Sequence, residues 1–154
     1  MSDSTKAQQA ERWLRRLLLL LVLWDFGLAV GTIGFPDFVL RFGRFEPQTE
    51  PLWTRGVGMY WGFAGWMQLL AWRSPRRYLA AVQLAVVFRL SASVIDLIEV
   101  LWLLPHPYFY FHYLLLFFVV ANLAIAGTII GCLKAMGLPW IEFSPATSTS
   151  TRSG

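Results

Sequence analysis

Three ionisable residues share one apolar stretch, "VVFRLSASVIDLIEVLW", which covers residues 86–102. They are Arg89, Asp96 and Glu99, and Asp25 occupies a second apolar stretch nearer the N-terminus. Such groups could hold a proton, an ion or a polar ligand. Ionisable side chains inside a membrane span are costly and usually pair with one another. The pattern therefore predicts buried charges that meet their opposites on neighbouring helices.

The composition indicates that lipid is the solvent for much of this chain. Of its 154 residues, 56% are hydrophobic and only 14% are charged, whereas soluble domains are about 25% charged. The chain also holds 8 Trp, 12 Phe and 5 Tyr. Its single cysteine, Cys132, excludes an internal disulfide and dithiol chemistry, and we expect it to be a packing residue.

Four stretches are apolar and long enough to cross a bilayer, which takes about 20 residues. We therefore expect an all-α fold, an integral membrane four-helix bundle, with polar tails over 1–11 and 138–154. The second tail has low complexity, which predicts disorder. An amphipathic segment over 36–45 predicts a short interfacial helix after the first span. The expected spans are about 14–33, 52–72, 78–104 and 112–136.

The distribution of lysine and arginine predicts the orientation of these spans. Basic residues collect on the cytoplasmic side of membrane proteins. Only Arg41 and Arg44 lie on the other side, so both termini are expected to be cytoplasmic. The net charge of +4 follows from this bias and does not require nucleic acid as a partner. The nine basic residues of the first side are Lys6, Arg12, Arg15, Arg16, Arg73, Arg76, Arg77, Lys134 and Arg152.

The first span could also be a cleaved signal peptide, because a basic flank precedes its leucine run. No small-x-small cleavage site directly follows that run, and the apolar stretch continues through Trp24 and Asp25 to full spanning length. We therefore expect the first span to be retained.

Depth along the helices sorts the polar residues into layers. At 1.5 Å per residue from the nearest cytoplasmic basic residue, Arg89 and Asn122 lie about 18 Å deep and Asp25 about 13 Å deep. We therefore predict that Arg89 pairs with Asp25 and that Asn122 supports the pair. These three residues are named the midplane group. A shallower, uncharged layer is expected to contain Gln68, Gln83 and Thr128.

A second set of polar residues lies nearer the outer boundary. Arg55 and Asp96 fall at about 27 to 28 Å, which predicts that they pair. Glu99 and His112 lie close by, and these four residues are named the outer group. Its carboxylates and imidazole suit a metal, but paired E-x-x-H motifs are missing and Arg55 would repel a cation. We therefore predict no metal and no other cofactor.

Two further features bear on function. Ser91 and Ser93 have no histidine at matching depth, so nucleophilic catalysis is not expected. Three spans carry small-xxx-small steps, which let helix backbones approach closely. These steps predict a compact bundle or contacts with another protein. They are Gly27 with Gly31, Gly58 with Gly62, and Gly127 with Gly131.

Three quoted segments, "FPDFVLRFG", "PLWTRGVGMYWGFAGWMQLLAW" and "SPRRYLAAVQLAVVFRLSASVIDL", resemble a bacterial pattern. It is that of small four-helix membrane proteins of the broad DoxX-like group, over residues 14–130. The shared features are a Phe-Pro loop after the first helix, an Arg-plus-glycine start to the second and an Arg inside the third. The resemblance implies a bacterial inner membrane. Some members are associated with redox complexes, but the cysteine pair that thiol chemistry requires is missing here.

Three functions are compatible with these observations. The one we favour is a non-enzymatic accessory subunit of a larger membrane complex, with lipids, other subunits or a second copy as partners. The second is a small transporter or ligand-binding bundle that uses the midplane group. The strong charge bias argues against dual-topology exporters of the small multidrug type. The third is a membrane enzyme that acts on a lipid or quinone through the outer group.

Overall fold

The computed structural model describes residues 3–42, 51–103 and 109–141, and all of their regular secondary structure is helical. The expectation of an all-α fold is therefore confirmed for these residues. The helices are α1 (Asp3–Gly34), α2 (Pro36–Phe42), α3 (Pro51–Arg73), α4 (Leu79–Leu103) and α5 (Phe109–Ala135).

The helix bounds follow the apolar runs closely, with one difference at the N-terminus. α1 begins at Asp3, so most of the segment expected as a tail over 1–11 continues the first helix. No glycine or proline interrupts the sequence there, and alanine, glutamine and glutamate favour a helix. α2 covers 36–42 of the short helix expected over 36–45, and residues 43–45 lie outside the described part of the chain. The expected disordered tail lies, over 142–154, outside the described residues.

Two helices are long and apolar enough to cross a membrane by length and composition. They are the segments Ser4–Gly34, within α1, and Tyr113–Ala135, within α5. A signal sequence or the core helix of a soluble protein would pass the same test. The finding agrees with a membrane location and leaves the number of crossings open.

The four long helices pack side by side in a ring. α1 packs most extensively on α3, and α4 packs on α5. Smaller contacts join α1 to α5 and α3 to α4, so each long helix has two neighbours. Because α1 and α4 each pack on α3 and α5, they lie diagonally across the interior from one another.

Glycines make the close contact between α1 and α3 possible. A methyl group on Gly58 would overlap the hydroxyl of Thr32 and lie 2.7 Å from Cγ1 of Ile33. A methyl group on Gly62 would lie 3.6 Å from Cβ of Ala29, in ordinary contact. This glycine step is therefore occupied by another helix of the same chain.

Three parts of the chain meet at one end of the molecule. Arg76, in the turn between α3 and α4, pairs with Glu11 of α1 at 3.1 Å between Nε and Oε2. Gln83, near the start of α4, donates a 3.2 Å hydrogen bond to the carbonyl oxygen of Pro139, which follows α5. The N-terminal part of α1, the α3–α4 turn and the C-terminal end of α5 therefore lie together.

The end of α5 is fixed by a glycine cap. Gly137 has φ 68°, a left-handed conformation that suits glycine. The amide of Leu138 donates to the carbonyl of Leu133 at 2.9 Å, and that of Gly137 donates to Lys134 at 3.0 Å. These two bonds define a Schellman motif, which turns the chain back toward α4.

An apolar cluster fills the interior near this end of the molecule. α1, α4 and α5 supply most of it, with contributions from α3 and the residues after α5. The helices are held there by apolar packing, and the polar interior begins beyond it along the helices. The cluster includes Leu14, Leu18, Val82, Val86, Ile129 and Leu133.

Candidate functional site

A charge pair lies at the centre of the ring of helices. Nη2 of Arg89 is 2.6 Å from Oδ2 of Asp25 and 2.8 Å from Oδ1. Both side chains are buried, with 2% and 0% of their surface exposed. Asp25 is on α1 and Arg89 is on α4, so the pair spans the diagonal of the ring. The contact between these two residues that depth predicted is therefore present.

Each of the other two long helices adds one amide to this pair. Gln68 of α3 donates from Nε2 to Oδ2 of Asp25 at 2.7 Å. Asn122 of α5 accepts from Nη1 of Arg89 through Oδ1 at 3.3 Å. All four side chains are buried. We name Asp25, Gln68, Arg89 and Asn122 the polar centre, to which every long helix contributes one residue.

Hydrogen bonds extend from the polar centre along α4 and α5. Nδ2 of Asn122 lies 3.5 Å from Oδ2 of Asp96, a long hydrogen bond. Ser93 donates from Oγ to the carbonyl of Arg89 at 2.9 Å and lies 3.4 Å from the carbonyl oxygen of Val119. Asp96 is therefore joined to the polar centre by an amide, without a cation of its own.

The predicted pair of Arg55 with Asp96 is wrong. Among the described side chains these two form no salt bridge, and Arg55 is exposed near the start of α3. The depth estimate gave only the level of each residue along its helix. Whether two residues at one level pair depends also on the direction in which their side chains point. Asp96 faces α5, on which α4 packs much more extensively than on α3.

Of the other two members of the outer group, only Glu99 has a described side chain. Glu99 is exposed on α4, one turn beyond Asp96. His112 lies in the first turns of α5, and its side chain is outside the described residues. Within the described part of the chain, no group of three or more His, Cys, Asp or Glu residues could hold a metal ion.

The three members of the expected uncharged layer have different partners. Gln68 belongs to the polar centre. Gln83 bonds to the carbonyl of Pro139, and Thr128 bonds to Ala124 one turn earlier in its own helix. The depths assigned to Gln68 and Asp25 differ by four residues, about 6 Å, which helix tilt and a glutamine side chain can cover.

A sequence signal for Gln68 did exist. Gly58, Gly62 and Gly65 form a stripe at helical spacing, and all three face α1. Gln68 follows Gly65 by three residues, which places it on the same face. A polar residue that continues a small-residue stripe therefore predicts a contact with the partner helix, here with Asp25.

Aromatic rings surround the cation. The guanidinium carbon of Arg89 lies 5.8 Å from the ring centroid of Trp61 and 5.4 Å from that of Phe88. Such contacts contribute about 0.5 to 2 kcal/mol, more when the cation is desolvated. Tyr60 stacks on Phe88 with centroids 4.4 Å apart, which joins α3 to α4. The rings and the polar centre thus enclose the Arg89 head group.

Two polar atoms of the polar centre have no hydrogen-bond partner among the described residues. They are Oε1 of Gln68 and Nε of Arg89, and both are buried. An unpaired buried group costs about 1 to 3 kcal/mol. By contrast, both oxygens of Asp25 accept hydrogen bonds. Both oxygens of the carboxylate therefore have a donor, while the glutamine carbonyl lacks one.

The chemistry available to the site is limited by its partners. The Asp25 carboxylate is paired with Arg89, and each of its oxygens already accepts a hydrogen bond. The one cysteine, Cys132, lies half-buried beside the apolar cluster. The arrangement suits the fixing of four helices and the binding of a polar group. It offers no recognisable catalytic set.

No family model matches the chain, and comparisons with curated proteins and with solved structures found no match. The resemblance to the DoxX-like group therefore stays a prediction. Function has to be argued from the geometry of this chain alone.

Proposed function

We propose that this chain is an integral membrane protein that crosses the bilayer four times, through α1, α3, α4 and α5. The proposal rests on the distribution of polar and apolar side chains, which is the opposite of that in a soluble protein. Buried inside are a charge pair and several amides and hydroxyls, while large apolar side chains are exposed on all four helices. Lipid is the solvent that favours such a surface. Among these exposed side chains are Leu20, Leu23, Met59, Phe63, Val94, Ile98, Phe117 and Val120.

The lengths of α3 and α4 support four crossings over two. They contain 23 and 25 residues, which correspond to about 35 and 38 Å. The hydrocarbon core of a bilayer is about 30 Å thick. Two of the three ionisable residues of α4 also follow this interpretation, because Arg89 is paired with Asp25 inside the ring and Asp96 is half-buried against α5. The third, Glu99, is exposed near the end of the helix.

Basic residues and contacts at one end of the molecule support an orientation with both termini in the cytoplasm. The start of α1, the α3–α4 turn and the end of α5 lie together there. The described basic residues of the larger set, from Lys6 to Lys134, belong to these segments. By the positive-inside rule we expect this end to face the cytoplasm, in the bacterial inner membrane that the resemblance to the DoxX-like group implies.

Within that membrane we infer a non-enzymatic role as a subunit of a larger assembly. Of the glycine steps, that of Gly58 and Gly62 is filled by α1. Gly127 and Gly131 of α5 are exposed, and nothing lies within 4 Å of a methyl group built on either. A small-xxx-small step facing lipid can receive a second transmembrane helix. The expected partner is a spanning helix of another subunit.

Purification in mild detergent followed by mass spectrometry tests this role. We expect the wild-type protein to co-purify with at least one other membrane protein. The double variant Gly127→Leu/Gly131→Leu should lose that partner. Gly27→Leu is a matched control, because Gly27 is also exposed with open space beside it but lies on α1. The control variant should keep the partner.

Two results would contradict the subunit role. A wild-type protein that purifies alone as a monomer would reject it. A protein that purifies only with further copies of itself, and becomes monomeric in the double variant, would replace the accessory role with self-association through α5. Loss of the partner in Gly27→Leu as well would show that α5 is not the contact.

A transporter remains the second candidate, because the midplane group occupies the centre of the ring. Asp25 would be the proton-coupling residue. Proteoliposomes with an internal pH-sensitive dye should then show proton uptake that Asp25→Asn abolishes. If the wild-type vesicles take up no more protons than empty ones, this candidate is rejected. A membrane enzyme that uses the outer group has no support in the geometry, since Arg55 and Asp96 do not meet.

A further inference from the structure

Exposed basic side chains collect at one end of the molecule. That end contains the start of α1, the α3–α4 turn and the end of α5. Among the described side chains, Glu11 is the one acidic group there, so most of the positive charge is not compensated. The exposed basic residues of this end include Arg12, Arg15, Arg16, Arg73, Arg76 and Arg77.

One carboxylate holds two of these arginines together. Oε1 of Glu11 is 3.0 Å from Nη2 of Arg15, one turn later in α1. Oε2 of Glu11 is 3.1 Å from Nε of Arg76, in the α3–α4 turn. Among the described residues, Nη1 of Arg15 and both terminal nitrogens of Arg76 have no hydrogen-bond acceptor. Glu11 therefore orients two guanidinium groups and leaves donors of both available.

A third arginine follows in the chain and is stacked on an aromatic ring. The guanidinium carbon of Arg16 lies 5.4 Å from the ring centroid of Trp13. A stacked guanidinium still presents its N–H groups at the edge of its plane. Trp13 is exposed, and tryptophan is enriched at the level of the lipid head groups. We name Arg15, Arg16 and Arg76 the arginine site.

We propose that the arginine site binds the phosphate of an anionic phospholipid whose acyl chains lie along α1. Arginine binds phosphate through two parallel N–H groups. Leu19 and Leu20 follow Arg15 and Arg16 by four residues and are exposed, so an apolar surface continues from the arginines on the same side of the helix. A phospholipid presents a phosphate and acyl chains together. A free phosphate ion or a nucleic acid would leave these leucines uncovered.

The position and charge of the arginine site favour an anionic lipid over a zwitterionic one. The cytoplasmic leaflet carries anionic lipids that attract basic segments next to a membrane span. A zwitterionic head group would bring its own cation close to three arginines, whereas an anionic head group has no such cation. The inference rests on the membrane location proposed above. It concerns the basic end of α1 and does not depend on the glycine step of α5.

The probes for the test are phosphatidylglycerol and phosphatidylcholine with identical oleoyl chains. They differ in net charge but not in the apolar part. Each lipid is titrated into the full-length protein in a neutral detergent, and native mass spectrometry measures the fraction of protein with lipid bound. We expect phosphatidylglycerol to bind about tenfold more tightly than phosphatidylcholine.

Two double variants separate the arginine site from net charge. Arg15→Gln/Arg76→Gln removes the two guanidinium groups that Glu11 holds, and it should weaken phosphatidylglycerol binding about tenfold, to the level of phosphatidylcholine. Arg41→Gln/Arg55→Gln is the matched control, because it removes the same charge from exposed positions on α2 and at the start of α3, away from the basic end. The control should bind both lipids like the wild type.

Three results would overturn the proposal. The first is equal binding of the two lipids to the wild-type protein. The second is an equal loss of phosphatidylglycerol binding in both double variants, because net charge and not the arginine site would then be the cause. The third is displacement of phosphatidylglycerol by millimolar inorganic phosphate beyond that caused by sodium chloride of the same ionic strength, which would identify a site for free phosphate.

A separate measurement distinguishes failure of this inference from failure of the proposed function. Membranes from cells that express the protein are washed with alkaline carbonate, which removes proteins that do not cross the bilayer. A protein that stays in the washed membranes but shows no preference between the lipids keeps the membrane location and loses the arginine site. A protein that the wash releases loses both.

Discussion

Arg89 and Asp25 illustrate how a long side chain can link helices that do not touch. α1 and α4 lie diagonally across the ring, and the guanidinium reaches a carboxylate on the far side. A buried ion pair adds little net stability over apolar residues of the same volume, but removal of one partner is strongly unfavourable. The pair therefore penalises arrangements in which the two helices shift relative to one another. Its effect is to select one register among alternatives of similar apolar packing.

The energetic role of the pair can be measured by single and double replacement. Arg89→Met leaves the buried Asp25 carboxyl with Gln68 as its remaining donor, and we expect a loss of about 3 to 5 kcal/mol in unfolding free energy. Asp25→Leu/Arg89→Met removes both charges and should recover most of that loss. Reversible unfolding in one detergent, by near-ultraviolet circular dichroism, provides the values. If the double variant is as unstable as the single one, coupling between the charges is not the cause.

Residues of the outer group should respond differently, because they lack such contacts. Arg55 and Glu99 are exposed and form no salt bridge among the described residues. Arg55→Gln and Glu99→Gln should therefore each change the unfolding free energy by less than about 0.5 kcal/mol. The same unfolding measurement checks this. A loss of more than about 2 kcal/mol for Arg55→Gln would mean that Arg55 has a buried partner after all.

At the scale of the helices, the sequence predicted the elements well and their contacts less well. Runs of apolar residues determine where a helix can begin and end, and Pro51, Gly34 and Pro75 mark boundaries directly. The glycine steps predicted close packing but not which helix would occupy each step. That choice depends on the order of helices around the ring, which hydropathy does not encode. The contacts of Gly58 with Thr32 and of Gly62 with Ala29 show which step is filled by another helix of the chain.

Two glycine-to-alanine variants should separate a filled step from an open one. A methyl group at Gly58 overlaps the Thr32 hydroxyl, so Gly58→Ala forces α1 and α3 apart. We expect it to lower the unfolding free energy by about 1 to 3 kcal/mol. Gly127→Ala meets open space in the monomer and should raise it by about 0.5 to 1 kcal/mol, because alanine is the better helix former.

Thermal unfolding of the two proteins side by side provides the comparison. Equal effects would show that both glycines matter only through helix propensity. A large loss for Gly127→Ala in the monomeric protein would place that glycine inside the fold rather than on an open face.

For the whole molecule, the sequence predicted the depth of each polar residue along its helix. It did not predict the rotation of the helix or the order of the helices around the ring. Depth placed Arg89, Asp25 and Asn122 correctly relative to one another, because all three point inward. It failed for Arg55 with Asp96, since residues at one level can face different neighbours. For Gln68 the error was the opposite one. Its assigned depth differed modestly from that of Asp25, so the direct contact between the two side chains was not predicted. Side-chain direction depends on helix rotation and order, and both emerge only when all four helices pack together.

The last prediction concerns the side of the membrane on which each loop and the N-terminus lie. Contacts at one end join α1, the α3–α4 turn and the segment after α5, so those parts must share one side of a bilayer if the four long helices cross it. The native thiol is first removed by Cys132→Ala. Single cysteines then replace Ser4, Arg77 and Asp37, each exposed and outside the cores of the expected spans.

A membrane-impermeant maleimide applied to intact bacterial cells should label Asp37→Cys alone. Ser4→Cys and Arg77→Cys should react only after the membrane is opened, because the basic end faces the cytoplasm. The reverse pattern would keep four crossings and invert the orientation. Labelling that places Ser4 and Arg77 on opposite sides requires an odd number of crossings between them. That result would contradict the contact of Glu11 with Arg76 and, with it, the fold in a membrane.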